Sequence, residues 1–112
     1  MTIDMKRHAL ASAAAMGAAL LAASAALAQD YTVALGAMDY GAIPSNLKVG
    51  DSITWVNRDT VIHSITARDH SFDLRLSPGQ SSKMDLQKAG VIAIYCLFHP
   101  TMRGTLKVAA KP

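Results

Sequence analysis

The chain has 112 residues, enough for one domain. Eleven basic and eight acidic residues leave a net charge of +3. The basic residues form no clustered stripe, so nucleic acid is not an expected partner. A single cysteine, Cys96, rules out an internal disulfide, although small exported domains usually carry paired cysteines.

The first segment reads as a targeting leader. Met5-Lys6-Arg7 is a short basic start, residues 8–29 carry no Lys, Arg, Asp or Glu, and Ala26-Leu27-Ala28 is a small-x-small exit. This order predicts a secretory signal peptide over residues 1–28, cleaved after Ala28. A retained anchor is the competing reading, since a membrane span needs roughly 20 apolar residues. The run is built mostly from weakly apolar Ala and stops at a cleavage site, which favours removal and a mature chain free of the membrane. Met5 is an alternative start. Residues 29–112 keep nine basic and seven acidic residues, and all seven acids are Asp.

The rest of the chain shows short β-type runs divided by turn residues. Val33, Leu35 and Ala37 alternate in the first. Residues 46–49 lead into the Gly50-Asp51 turn, and in 52–56 Ile53 and Trp55 share a face. Asn57-Arg58-Asp59 makes a break. Further runs cover 61–67, 80–86, 91–96 and 103–108, with turns at Ser77-Pro78-Gly79 and Ala89-Gly90. Residues 68–78 read as a loop. The pattern predicts an all-β, Greek-key sandwich of seven to eight strands over residues 29–112.

The chemistry concentrates in Tyr95-Cys96-Leu97-Phe98-His99-Pro100-Thr101-Met102. Taken singly, a Met, a His or a Cys is ordinary packing or surface. Here the lone Cys, a His and a Met stand three residues apart in one turn between two strands. Ile92, Ile94 and Cys96 share strand parity, as do Met102, Leu106 and Val108, so thiol and thioether are expected to face inward. His63 shares parity with Val61 and Ile65, which predicts an inward imidazole on an apolar face. A metal bond would offset the cost of burying it. His70, between Asp69 and Ser71, reads as a surface residue. Two imidazoles, a thiolate and a weak thioether suit copper in an electron-transfer site. Structural zinc sites use Cys and His without thioether. Four protein ligands leave no open position for a substrate, so an enzyme is not expected.

With these motifs the sequence resembles the cupredoxins, and among them the amicyanins. The resemblance spans most of residues 29–112. It is carried by Met38-x-Tyr40, Leu47-x-Val49-Gly50-Asp51, Thr54-Trp55-x-Asn57, His63, and Tyr95-Cys96 through Met102-Arg103-Gly104. It implies one type 1 copper ion per chain, bound equatorially by His63, Cys96 and His99 and axially by Met102, cycling between Cu(II) and Cu(I). It implies a periplasmic location and redox-protein partners such as a dehydrogenase donor and a c-type cytochrome acceptor. Cupredoxins commonly place Asn directly after the first His ligand, where it ties the two ligand loops together. This chain has the shorter Ser64. Met38, Ile62, Phe98 and Pro100 form an expected apolar docking patch around His99, the expected electron exit. A copper chaperone or storage protein of the same fold is the alternative function, and a monomer is the default assembly.

Overall fold

The computed structural model describes residues 27–111, so most of the leader expected over residues 1–28 lies outside the described residues. Among the described residues there is no helix, and none is therefore long and apolar enough to cross a membrane.

Among the described residues nine strands form two sheets. The first has the order β2-β1-β4-β7, made from β1 (Asp30–Gly36), β2 (Asp39–Tyr40), β4 (Ser52–Asn57) and β7 (Ser81–Asp85). The second has the order β3-β9-β8-β5-β6, made from β3 (Leu47–Lys48), β5 (His63–Ala67), β6 (Asp73–Leu76), β8 (Gly90–Tyr95) and β9 (Arg103–Ala109). β1 runs parallel to β4 and β3 parallel to β9, while the other pairs are antiparallel. The all-β Greek-key sandwich is as the sequence predicts, and β2 and β3 are only two residues long.

Alternation builds the core. Val33, Leu35, Ile53 and Trp55 point inward from the first sheet and Leu47, Ile65, Ile94 and Leu106 from the second, all essentially removed from water. Each such large side chain contributes roughly 1.5–3 kcal/mol on burial. Tyr40 packs its ring edgewise against Trp55 with centroids 6.0 Å apart. β7 lies at a sheet edge and exposes Lys83 and Asp85, charges that discourage pairing with another chain.

Three sequence expectations change. The stretch 68–78 is not simply a loop. Leu74 and Leu76 alternate in β6, which pairs with β5 in the register Ser64↔Arg75 and Thr66↔Asp73. Ala37 does not extend the inward row of β1. It sits exposed in the β1–β2 turn at φ 53°, beside Met38 at φ 61°. Val61 is exposed ahead of β5, so the inward row of His63 runs on to Ile65 and Ala67 rather than back to Val61.

Candidate metal centre

Three connections meet at one end of the sandwich: the β1–β2 turn, the β4–β5 loop and the β8–β9 loop. Antiparallel pairing sets the end of β5 beside the end of β8, through Thr66↔Tyr95 and Ala67↔Ile94, so the start of β5 lies alongside the residues that follow β8. His63, first residue of β5, and Cys96, the residue after β8, are therefore neighbours although 33 positions apart. His63 Nδ1 and Cys96 Sγ are 3.8 Å apart, and both side chains are fully buried.

The β8–β9 loop closes on itself. Met102 N–H donates to the His99 carbonyl at 2.9 Å, a tight turn with Pro100 in the position its fixed φ favours. Cys96 N–H donates to the Met102 carbonyl at 3.1 Å, which brings the two ends of the β8–β9 loop together. Met102 is buried beneath the turn and His99 is half-buried. The His99 ring stands edge-on to the His63 ring, with centroids 5.2 Å apart. The four side chains singled out in the sequence thus gather at one place. His70, by contrast, lies exposed.

The electrostatics favour a deprotonated sulfur. Burial pushes the Cys96 thiol up, but the Ser64 N–H at 3.3 Å, His63 and the backbone N–H groups of Phe98 and His99 outweigh it and lower its pKa. Burial also opposes charge on His63. Hydrogen bonds to Asp59 and Cys96 overcome that and hold the imidazole above its ordinary value in the metal-free chain. Burial pushes the Tyr40 phenol well up, so it remains a donor, to the Ser64 carbonyl at 2.7 Å.

Sequence reading missed Asp59 and undervalued Asn57. Asp59 Oδ2 lies 2.6 Å from His63 Nε2, which leaves Nδ1 turned toward Cys96. The same carboxylate accepts from Ala37 N–H at 2.8 Å and Met38 N–H at 2.9 Å. Two successive left-handed residues form such an anion-holding concavity. The contact to His63, joined by the two amides, holds the Asp59 carboxyl below the usual carboxylate range. Asn57 is fully buried. It donates to the carbonyls of Val61 and Leu76, each at 2.9 Å, and accepts from Asp59 N–H at 2.9 Å. It thereby sets the loop that carries Asp59 toward His63. The turn-like Asn57-Arg58-Asp59 was the available signal, but it indicated a break rather than a bracket for the histidine.

Met38, Ile62, Phe98 and Pro100 are exposed on these same connections, and exposed Val61 and Leu97 extend the apolar set. Arg68 lays its guanidinium 4.3 Å over the ring of Tyr95, the residue before Cys96.

The donor chemistry fits copper: a buried sulfur of lowered pKa, two imidazoles and a thioether. Counting only His, Cys, Asp and Glu, no trio among the described residues makes a metal cluster by itself. The fit rests on this mixed donor set and its contacts.

A family model described as a cupredoxin-like domain matches residues 10–108. The chain belongs to this cupredoxin-like family. Its structural neighbours include a reduced proline-to-phenylalanine variant of amicyanin, 28% identical, with TM-score 0.59, covering 72% of this chain and 81% of that one. A Cu(I) methionine-to-alanine variant of amicyanin is 25% identical, with TM-score 0.59 and the same coverage. Amicyanin from Paracoccus versutus (Thiobacillus versutus) is 23% identical, with TM-score 0.60, covering 72% of this chain and 80% of that one, and shows the shared fold. Comparison with curated proteins gave no match. This cupredoxin is thus similar to amicyanins, among them a Cu(I) form.

Proposed function

We propose that this cupredoxin is an exported carrier of single electrons, in which His63, Cys96, His99 and Met102 would hold one copper ion. The observation that carries the reading is the buried Cys96 sulfur 3.8 Å from His63 Nδ1, inside a turn that also holds His99 and Met102. Copper supplies the redox couple, Cu(II)/Cu(I). The chain's residues do the rest. Ser64 N–H steadies the thiolate, Asp59 fixes the ring of His63, and the burial of His63, Cys96 and Met102 leaves only the His99 edge near water. A site held by its own hydrogen bonds needs little rearrangement between oxidation states.

His99 is the proposed exit for the electron, with Met38, Ile62, Phe98 and Pro100 as an uncharged docking surface for brief encounters. The proposed partners are redox proteins, a dehydrogenase as donor and a c-type cytochrome as acceptor. The proposed location is the periplasm, reached by cleavage after Ala28. Residues 27–30 are exposed, and Gln29 already anchors to the fold through its N–H to Asp51 Oδ1 at 2.9 Å, so cleavage there leaves β1 whole.

The test is Cu(II) added to the chain 29–112. An intense visible charge-transfer band is expected, and Cys96→Ser should abolish it. A colourless protein overturns the reading. Reversible voltammetry with fast electron exchange is the expected behaviour of a carrier, and its absence in a coloured protein favours a copper chaperone or store.

A further inference from the structure

Ser64 occupies the position next to the first proposed ligand, and all of its polar atoms are committed. Its N–H donates to Cys96 Sγ and its carbonyl accepts from Tyr40. Its Oγ accepts from Leu97 N–H at 2.8 Å, which joins the β5 start directly to the residue after Cys96. The short side chain therefore makes the tie between ligand loops that a longer one was expected to need.

A hydroxyl has one proton, and in a fully buried position that proton needs an acceptor. Thr66 Oγ1 lies 2.8 Å away. Thr66 in turn donates its own proton to Asp73 Oδ1 at 2.9 Å, across the β5–β6 register pair. The other oxygen of Asp73 is held by Arg75 at 3.0 Å. An ionised carboxylate only accepts, so Thr66 must donate to it. Thr66 Oγ1 must then accept from Ser64, which frees the Ser64 lone pairs for Leu97 N–H. Each bond fixes the direction of the next, from the surface inward. Without the carboxylate the two hydroxyls could reverse, leaving the Ser64 proton without an acceptor beside the Leu97 donor.

We propose that Asp73 and Thr66 are positioning residues for the copper loop: their ordered relay holds the Ser64 hydroxyl as the acceptor that pins Leu97, and with it the Cys96 turn. The relay lies outside the four proposed ligands and runs from β5 to Asp73 on the edge strand β6, which the sequence read as a loop. Its role toward copper rests on the reading of Cys96 as a ligand.

The test combines amide hydrogen exchange at Leu97, in metal-free and Cu(I)-loaded protein, with the visible band and potential of the loaded protein. Thr66→Val keeps the side-chain shape and removes the hydroxyl. It should speed Leu97 exchange roughly five- to tenfold, the size of one net hydrogen bond, and shift the band. Thr66→Ser should restore both. Asp73→Ala, at an exposed position, should give a smaller acceleration of about two- to threefold, because the relay loses its direction but keeps its atoms. Unchanged Leu97 exchange in both Thr66→Val and Asp73→Ala overturns the relay, as does an acceleration spread evenly over the whole second sheet. A wild-type chain that gives no visible band overturns the copper reading instead, and the metal-free exchange data still judge the relay.

Discussion

Each end of this sandwich is organised around an aspartate, and the two carboxylates hold different things. At the end away from the β8–β9 loop, Asp51 is fully buried and takes the N–H groups of Gln29 and Lys48 and the Lys48 ammonium, at 2.9 to 3.1 Å. The sharp backbone there is glycine, with Gly50 at φ 100° and Gly90 at φ 136°. At the other end Asp59 takes two amides and an imidazole, and besides Gly79 at φ 84° two non-glycine residues, Ala37 and Met38, are left-handed. One aspartate closes a structure and is finished. The other links a solvent-facing turn to a buried proposed ligand, and tolerates backbone strain to do so. Strain of this kind persists only where the surroundings impose it, and it clusters at functional sites.

The largest expected effect separates stability from the site. Leu47 is buried in β3 at the Asp51 end. Leu47→Ala should cost about 3 kcal/mol in urea denaturation of the metal-free protein, and leave the copper band of the folded protein where it was. A shifted band would mean that the two ends are not independent. Asn57→Ala should cost less, about 2 kcal/mol, since it leaves the buried Leu76 carbonyl, the Val61 carbonyl and the Asp59 N–H short of partners. Unlike the larger loss at Leu47, it should change the band and weaken copper retention, because the loop bearing Asp59 loses its anchor. An Asn57→Ala protein with the parent spectrum would show that Asp59 holds its place unaided.

The same contrast explains what was legible in the sequence. Cys96, His99 and Met102 could be singled out as candidates because their spacing and strand parity are local, and Ile92, Ile94 and Leu106 are buried where alternation puts them. Trp55 and Ile53 likewise share their expected face. Asp59 could not be found, because its partners Ala37 and Met38 lie more than twenty positions away and nothing in an Ala-Met pair announces a left-handed turn. β6 escaped because four residues flanked by Asp69-His70-Ser71 and Ser77-Pro78-Gly79 offer only one period of alternation. Ser64 was legible as a departure from the family pattern. The relay through Thr66 and Asp73 was not, since it exists only once β6 pairs with β5.

A smaller effect probes how each end makes its turns. Gly90→Ala should cost about 1 kcal/mol or somewhat more, because an L-residue resists a positive φ. Ala37→Gly should lie within roughly 0.5 kcal/mol of the parent, as relief of the left-handed backbone offsets the added freedom of the unfolded chain. Denaturation midpoints of the two variants measure this directly. A clear loss in Ala37→Gly would mean that the alanine methyl contributes packing and that the turn is not strained.

The last contrast is one of pH. The Gln29 N–H, together with Lys48, holds the Asp51 carboxyl below its ordinary value of 3.8 despite its burial. A carboxyl with a depressed folded value contributes stability that is present above the unfolded value and is lost as pH falls through the folded one. The stability difference between the parent and Asp51→Asn should therefore be greatest near neutrality and begin to shrink as pH drops below about 4. It should be smallest once the buried carboxyl itself is protonated. Denaturation of both proteins across that range, without metal, isolates the effect from the ligand loop. A difference that stays constant with pH would show that Asp51 acts through the geometry of its hydrogen bonds alone, and the far end would then be held by shape rather than by charge.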